Sequence, residues 1–311
     1  MAVPEVLAVH PDPAAARMQQ RAVRDGRLIR VGHGSFVRRE DWERASTWEQ
    51  HIARAVAVHA VAPRVVVSHA SASIVHRLPW IQPAPDRVTV LDPLRSTSQR
   101  TRFADKAAGA GRPQRSVLVA GIPVTTLVDT VVDVALRYDR ARALSVADAV
   151  LRRGVDPGLI HDELAARPSA RAARRARQVL ELASASSESA GESVTHLVMR
   201  DVGCPAPVQQ HDFRDASGAI GRVDFWFPDH GVIVEFDGLV KYRDPGLRNG
   251  RSAEDVLIDE KIREDRLRAL HEVRRVVRPV WRDIVPGGRL PAMLADAGLP
   301  VRRGVRTTPS W

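Results

Sequence analysis

Residues 221–238 read GRVDFWFPDHGVIVEFDG: two bulky apolar runs around a Pro-Asp-His-Gly turn, with three carboxylates among them. The runs are short and rich in β-branched and aromatic residues, which predicts strands rather than helices. Strands of this kind belong inside a sheet covered by other elements. Acids are among the residues least often buried, and an unpaired buried charge costs several kcal/mol. A fold that accepts this segment must therefore give its acids a partner. Side chains alternate faces along a strand. Val223, Phe225 and Phe227 then share one face, with Asp224 and Trp226 on the other. In the second run Val232, Val234 and Phe236 share a face, and Ile233, Glu235 and Asp237 take the opposite one. If the two strands are neighbours, all three carboxylates meet on one face, with residues 235 and 237 about 6.5–7 Å apart.

Gathered carboxylates repel one another and raise each other's pKa. A hard divalent cation such as Mg²⁺ or Mn²⁺ relieves that repulsion, because oxygen ligands are what it takes. Bound there, the metal lowers the pKa of a water and stabilises developing negative charge on a phosphoryl group. Lys241, just beyond, is placed to orient the water or share that charge. The competing reading pairs Asp224 and Glu235 with some of the chain's many arginines. Three acids on one face, followed by Gly and Lys, favour the metal. The flanking elements read as a helix with Glu192 in its first turn, a hairpin turning at 216–218, and a long charged helix. That last helix is expected to set Ile258, Ile262, Ala269 and Leu270 inward. A final strand, VRRVVRPVW, carries Pro279, which marks an edge or a bulge.

Upstream, PAAARMQQRAVRDG predicts a helix ending at Gly26, followed by a hairpin with a Gly-His-Gly turn at 32–34. Helices followed by a basic hairpin, over residues 1–45, have the outline of a winged helix. Arg21, Arg24, Arg27 and Arg30 would line its DNA-facing side. The alternative is a small solvated helix-hairpin without a ligand. The formal net charge of +10 suits a polyanionic partner, although a GC-rich genome also inflates arginine. Residues 46–165 read as a structural α/β module, with Ser68 as a helix N-cap and His69 and His76 as packed or surface side chains. Residues 166–191, rich in Ala, Arg and Ser, read as a helical and Ser-rich linker to a C-terminal domain over 192–311. The fold class expected is α/β, in several domains. A single cysteine excludes an intramolecular disulfide and, with no signal-like N-terminus and no long apolar run, implies a cytoplasmic, nucleoid-associated protein without a membrane partner.

The segments GES, GCPAPVQQHDFRD, GRVDFWF, VIVEFDGLVKY, DEKIREDRLRAL and VRRVVRPVW together resemble the restriction-endonuclease-like PD-(D/E)XK superfamily. Within it, they are most similar to the branch of the very-short-patch mismatch-repair endonucleases. The resemblance covers about 187–285. It implies a mixed sheet flanked by helices and Mg²⁺-dependent DNA cleavage, with Asp224 and Glu235 as metal acids and Glu192 as the accompanying helix acid. The superfamily places lysine two residues after the second acid, where this chain has Asp237. Lys241, or Lys261 reaching in from the long helix, is left to take that role. The first ~165 residues resemble the AbiEi-type antitoxin family in AVRDGRLIRVGHGSFV, VVVSHASASIVHRLP, GIPVTTLVDTVVDVA and ADAVLRRG. That resemblance implies a winged helix on DNA and transcriptional autoregulation beside a toxin gene.

Three functions follow as expectations. The first is a DNA-binding protein whose C-terminal domain hydrolyses phosphodiester bonds with Mg²⁺, in phage defence or a toxin-antitoxin setting. The second is an antitoxin-like repressor, a homodimer in the usual manner of such proteins, whose nuclease fold no longer cuts. The third is a module that engages a cognate toxin protein. A decayed nuclease sheds its acids first, and all four acids are present here, which favours the enzyme.

Overall fold

The computed structural model describes residues 3–81, 83–113, 115–167, 170–238 and 253–302. The chain is of mixed α/β class and divides into two compact units, Met1–Tyr138 with Val155–Leu180, and Asp139–Gly154 with Glu181–Trp311. Among the described residues no helix is long and apolar enough to cross a membrane.

The first unit opens with β1 (Leu7–Ala8), α1 (Pro13–Arg24), β2 (Leu28–Gly32), β3 (Ser35–Arg38), α2 (Arg39–Arg44) and α3 (Thr47–Val61). Asp12 caps α1 by accepting from the Ala15 N–H at 2.8 Å, and Gly26 follows it at φ +75°, a conformation glycine takes without strain. β1, β3 and β2 form an antiparallel sheet in that order. Among the described residues one helix, not several, precedes the hairpin. β1 is too short to leave a periodic signal in the sequence.

A six-stranded sheet follows, in the order β6-β7-β5-β4-β9-β8. Its strands are β4 (Val66–Val67), β5 (Val88–Asp92), β6 (Gln99–Arg100), β7 (Ala104–Ala108), β8 (Ser116–Val119) and β9 (Ile122–Thr125). The helices of this part are α4 (His69–Val75), α5 (Leu127–Arg137), α7 (Pro157–Ala165) and α8 (Ala170–Leu180), while α6 (Arg140–Arg152) belongs to the other unit. Ser68 stands at the N-cap of α4 without a side-chain cap bond, because its hydroxyl meets His69 Nδ1 at 2.9 Å instead. His69 is buried, which pushes its pKa down to about 4, and His76 Nε2 bonds the Thr125 carbonyl at 2.7 Å. Both histidines are packed side chains. A buried ion-pair network ties α5 to α7: Asp133 meets Arg112 at 2.7 Å, while Arg167 reaches Asp129 at 3.1 Å and Glu163 at 2.6 Å.

The second unit contains α6, α9 (Ala190–Asp201), β10 (Val208–Asp215), β11 (Gly218–Phe227), β12 (Val232–Val234), α10 (Ala253–Ala269), β13 (Arg275–Val277), α11 (Trp281–Ile284) and α12 (Leu290–Asp296). The sheet order is β10-β11-β12-β13, antiparallel except for the parallel β12–β13 pair. β13, the strand before Pro279, is at the edge. α9 covers the Phe225 face, where His196 lies 5.8 Å from the Phe225 ring. α10 covers the other face, with Leu267 in one cluster with Trp226 and Ile233.

The inward face of α10 is not the expected one. Ile258, Ile262 and Ala269 are exposed, Leu270 is half-buried, and Leu267 is fully buried. Arg263 and Arg266 share the side of Leu267 and Leu270, at i, i+3, i+4 and i+7. They sit inward because the sheet offers carboxylates to receive them: Arg266 forks onto Asp215 at 2.7 and 2.8 Å.

The helical part of the expected linker is α8, Ala170–Leu180, but the serines after it dock on α6 rather than standing as a free linker. Asp148 of α6 accepts from the Ser184 N–H at 2.8 Å and the Ser193 hydroxyl at 2.7 Å. Burial pushes the Asp148 pKa up to about 6, although the serine bonds pull the other way. A carboxyl that is easier to protonate in the folded state stabilises the fold most at low pH. That contribution is lost as pH rises from the ordinary carboxyl range through about 6. Asp148→Asn is therefore expected to flatten the pH dependence of stability over this window, as read by urea denaturation at a series of pH values. An unchanged slope would show that Asp148 does not titrate on unfolding.

Candidate functional site

The strand register decides the geometry of the acids. Phe225, Trp226 and Phe227 of β11 stand opposite Val234, Ile233 and Val232 of β12. Continued by one residue, that register sets Asp224 opposite Glu235 on the face that also carries Trp226 and Ile233. Beyond β12 the backbone stays extended along the other side, where the Glu235 N–H bonds the Val277 carbonyl and the Asp237 N–H bonds that of Pro279, both at 2.9 Å. On the β11 side Asp224 Oδ2 accepts the Phe236 N–H at 2.7 Å. Asp224 thus replaces a ladder bond at the point where the β11–β12 pairing ends.

Phe236 turns the other way, over the start of α9. A Cβ on Gly191 would lie 2.0 Å from its ring, so only glycine leaves room for it there. Trp281 closes the other side edge-on, at 5.3 Å between ring centroids. These contacts fix the stretch that carries Glu235 and Asp237.

A polar cavity of about 270 Å³ opens here, lined by Arg222, Asp224, Glu235, Phe236, Asp237, Glu260, Arg263 and Arg278. Asp224, Glu235 and Asp237 are brought together at it. Glu192 is not among its lining residues. It is buried on α9, where its Oε2 accepts the Glu188 N–H at 2.8 Å and the Gln210 amide at 3.1 Å. Lys261 is exposed on α10 and does not line the cavity either. Lys241 lies outside the described residues.

Glu235 has the partners that a paired acid would need. Arg263 Nη2 meets Oε1 at 2.6 Å and Arg278 Nη2 meets Oε2 at 3.1 Å. The same two guanidinium groups hold Glu260, at 3.2 Å from Arg263 and 2.7 Å from Arg278. Burial works against charge on Arg263, yet its bond to Glu235 prevails and it holds its proton more firmly than a free arginine. Among the described residues no group of three or more His, Cys, Asp and Glu side chains is arranged to hold a metal ion. The donor chemistry suits a hard cation, since Asp224, Glu235 and Asp237 offer only oxygens to a polar cavity. For Glu235 to serve as a ligand, however, Arg263 and Arg278 must release it.

In the first unit, Arg21 and Arg24 are exposed on α1, and Arg27 is exposed and pairs with Asp25 at 3.2 Å. Arg30 is exposed on β2, with its guanidinium 5.5 Å from the Phe36 ring centroid. Arg21 and Arg27 share an open hollow with Leu28, Arg38 and Arg39; Arg24 and Arg30 lie outside its lining.

No known family model matches the chain. Over 128 residues, 41% of this chain, it is 34% identical to two proteins of Mycobacterium tuberculosis. They are described as uncharacterized protein MT2308 in strain CDC 1551 / Oshkosh and uncharacterized protein Rv2248 in strain ATCC 25618 / H37Rv. The chain spans about half the length of these curated relatives, 47% in each case.

Arg263, Arg278 and Glu260 were not anticipated as site residues. Arg263 has a local signal, since Glu260 and Arg263 are three residues apart on a helix and share a face. Arg278 has none, because its position depends on β13 running parallel to β12. Arg278→Ala would leave Glu235 and Glu260 to Arg263 alone, while Glu264 keeps its pair with Arg268. The expected cost is about 3 kcal/mol, the low end for breaking a buried pair because the arginines keep some solvent contact. Urea denaturation reads this directly, and an unchanged midpoint would mean the network contributes nothing to stability.

Proposed function

We propose that this is a DNA-binding protein whose second unit hydrolyses phosphodiester bonds with Mg²⁺ or Mn²⁺. The observation that carries this reading is Asp224 set opposite Glu235 at the rim of a polar cavity that Asp237 also lines. Acids in a cavity with three arginines suit a phosphodiester: the arginines offset its charge and the acids offer oxygens to a cation. The metal, when bound, supplies an activated water and stabilises the charge that develops on the phosphoryl group. Asp224 and Glu235 would hold it, with Asp237 beside them. Arg263 and Arg278 would exchange Glu235 for the phosphate, so that substrate and cation enter together. The resemblance to PD-(D/E)XK nucleases supports the same reading, as the AbiEi-like stretches support DNA contact by the winged helix.

A second reading has its own observation. Both oxygens of Glu235 are engaged by arginines, as in a site that has become a structural ion-pair network. On that reading the protein is an AbiEi-like antitoxin or repressor with an inactive nuclease fold, acting on DNA and alongside a cognate toxin.

Supercoiled plasmid incubated with and without Mg²⁺ or Mn²⁺ separates the two. The wild-type protein is expected to nick or linearise it only with metal, and an Asp224→Asn/Glu235→Gln double variant to lose at least about 100-fold in rate. Asparagine keeps an acceptor for the Phe236 N–H, so the variant is expected to fold. Salt-sensitive binding without any cleavage would instead favour the repressor reading.

A further inference from the structure

We propose that the loop running from Leu94 to Phe103, which includes the short edge strand β6 of the six-stranded sheet in the first unit, is a second contact for the phosphate backbone of duplex DNA. It rests on the DNA-binding part of the reading above and extends it beyond the winged helix, into a module whose sequence shows no chemistry.

The loop adjoins the β2–β3 hairpin. His33, in the hairpin turn, packs edge-on against Phe103, with ring centroids 6.0 Å apart and an interplanar angle of 76°. Arg102 lies over the same Phe103 ring at 5.2 Å, and it is exposed. Among the described residues no carboxylate lies within ion-pair distance of it. A single ring thus joins the hairpin turn to an exposed arginine, which sets the loop beside the hairpin.

The loop's composition is that of a phosphate contact. Residues 94–102, LRSTSQRTR, carry three arginines, four hydroxyl side chains and no acid. Arginine and hydroxyl donors dominate contacts to phosphate oxygens in protein–DNA interfaces. A cavity of about 240 Å³ behind the loop is lined by Ser98, Gln99, Arg100, Lys106 and Arg137, among others. Its one acid, Asp105, is already held by Arg87 at 3.1 Å and Arg100 at 3.2 Å. Lys106 pairs with Asp92 at 3.4 Å. Four cations therefore face two acids here, which leaves a positive excess where the loop meets solvent. A free phosphate would satisfy the cavity alone, but it would not use Arg102, which lies over the Phe103 ring and outside the cavity's lining. A polymer uses both.

The test is the salt dependence of duplex binding, measured by fluorescence anisotropy in EDTA over a series of KCl concentrations. Wild type is compared with Arg100→Gln/Arg102→Gln and with Arg21→Gln/Arg24→Gln. Each lost phosphate contact lowers the slope of log affinity against log salt by about 0.9, so the loop variant is expected to fall by about 1–2. Replacing both loop arginines by lysine is expected to restore most of that slope, which a merely structural role would not do. Inorganic phosphate at matched ionic strength is expected to compete no better than chloride. A loop variant with the wild-type slope, beside a weakened Arg21/Arg24 variant, overturns this inference and leaves the DNA reading standing. Strong competition by inorganic phosphate overturns it in favour of a small-anion site. A wild-type protein that binds no duplex overturns both.

Discussion

The second unit is organised around one electrostatic constraint, the charge on Glu235. A carboxylate at that place, just past the end of β12 and largely withdrawn from water, is tolerated only with compensating charge. Arg263 and Arg278 supply it from two different elements, α10 and the segment after β13. Meeting that demand sets which side of α10 faces the sheet, brings the residue before Pro279 back beside β12, and draws in Glu260 as the counter-charge to the second guanidinium. The cavity is the space left when these groups are arranged around a charge rather than around an apolar side chain. Its polarity and its position follow from the same cause.

Part of this was legible in the sequence. Alternation along VDFWF and VIVEF assigns faces without any knowledge of the fold, and the observed register gives those strands the pairing on which the argument depended. The helix before the hairpin and the hairpin itself were legible for similar local reasons, Gly26 after the helix and the Gly-His-Gly turn at 32–34. The inward face of α10 was not, because a rule that turns Ile258 and Ile262 inward treats arginine as a solvent residue. Here the partners of Arg263 and Arg266 lie on the sheet, and their sequence separation leaves no local trace. The place of α6 was hidden for a different reason. An amphipathic helix announces that it has a partner but not which one, and Asp148 finds its serines some forty residues later in the chain.

Glu192 shows where motif and geometry part. The motif sets it with Asp224 and Glu235, whereas its own bonds run to the Glu188 backbone and Gln210. Gln210 has φ +54°, a left-handed conformation that costs a non-glycine residue of order 1 kcal/mol. By the β10–β11 register it lies opposite Asp224, between neighbours Gln209 and His211 that pair with Phe225 and Val223. A strained residue that faces one acid across the strands and donates its amide to another links two groups that the motif treats as a set.

The two halves of the proposed function therefore rest on different physics. In the first unit the relevant charges are outward, and exposed arginines cost little to maintain, so charge by itself decides little there. What gives weight to the surface is continuity: a histidine in a hairpin turn, a phenylalanine of the neighbouring module and an arginine over the same ring. In the second unit the charges are largely withdrawn from water, where each must be matched or destabilise the fold. There, replacing a whole ion-pair network by apolar residues of similar size is often neutral or stabilising. Glu235 stands with two arginines and a further acid, an arrangement with no advantage in stability over a hydrocarbon core. On the function proposed above it would have one advantage that such a core lacks: the arginines would trade a carboxylate for a phosphate of the same charge while a cation takes up Glu235, so that no group is left unpaired.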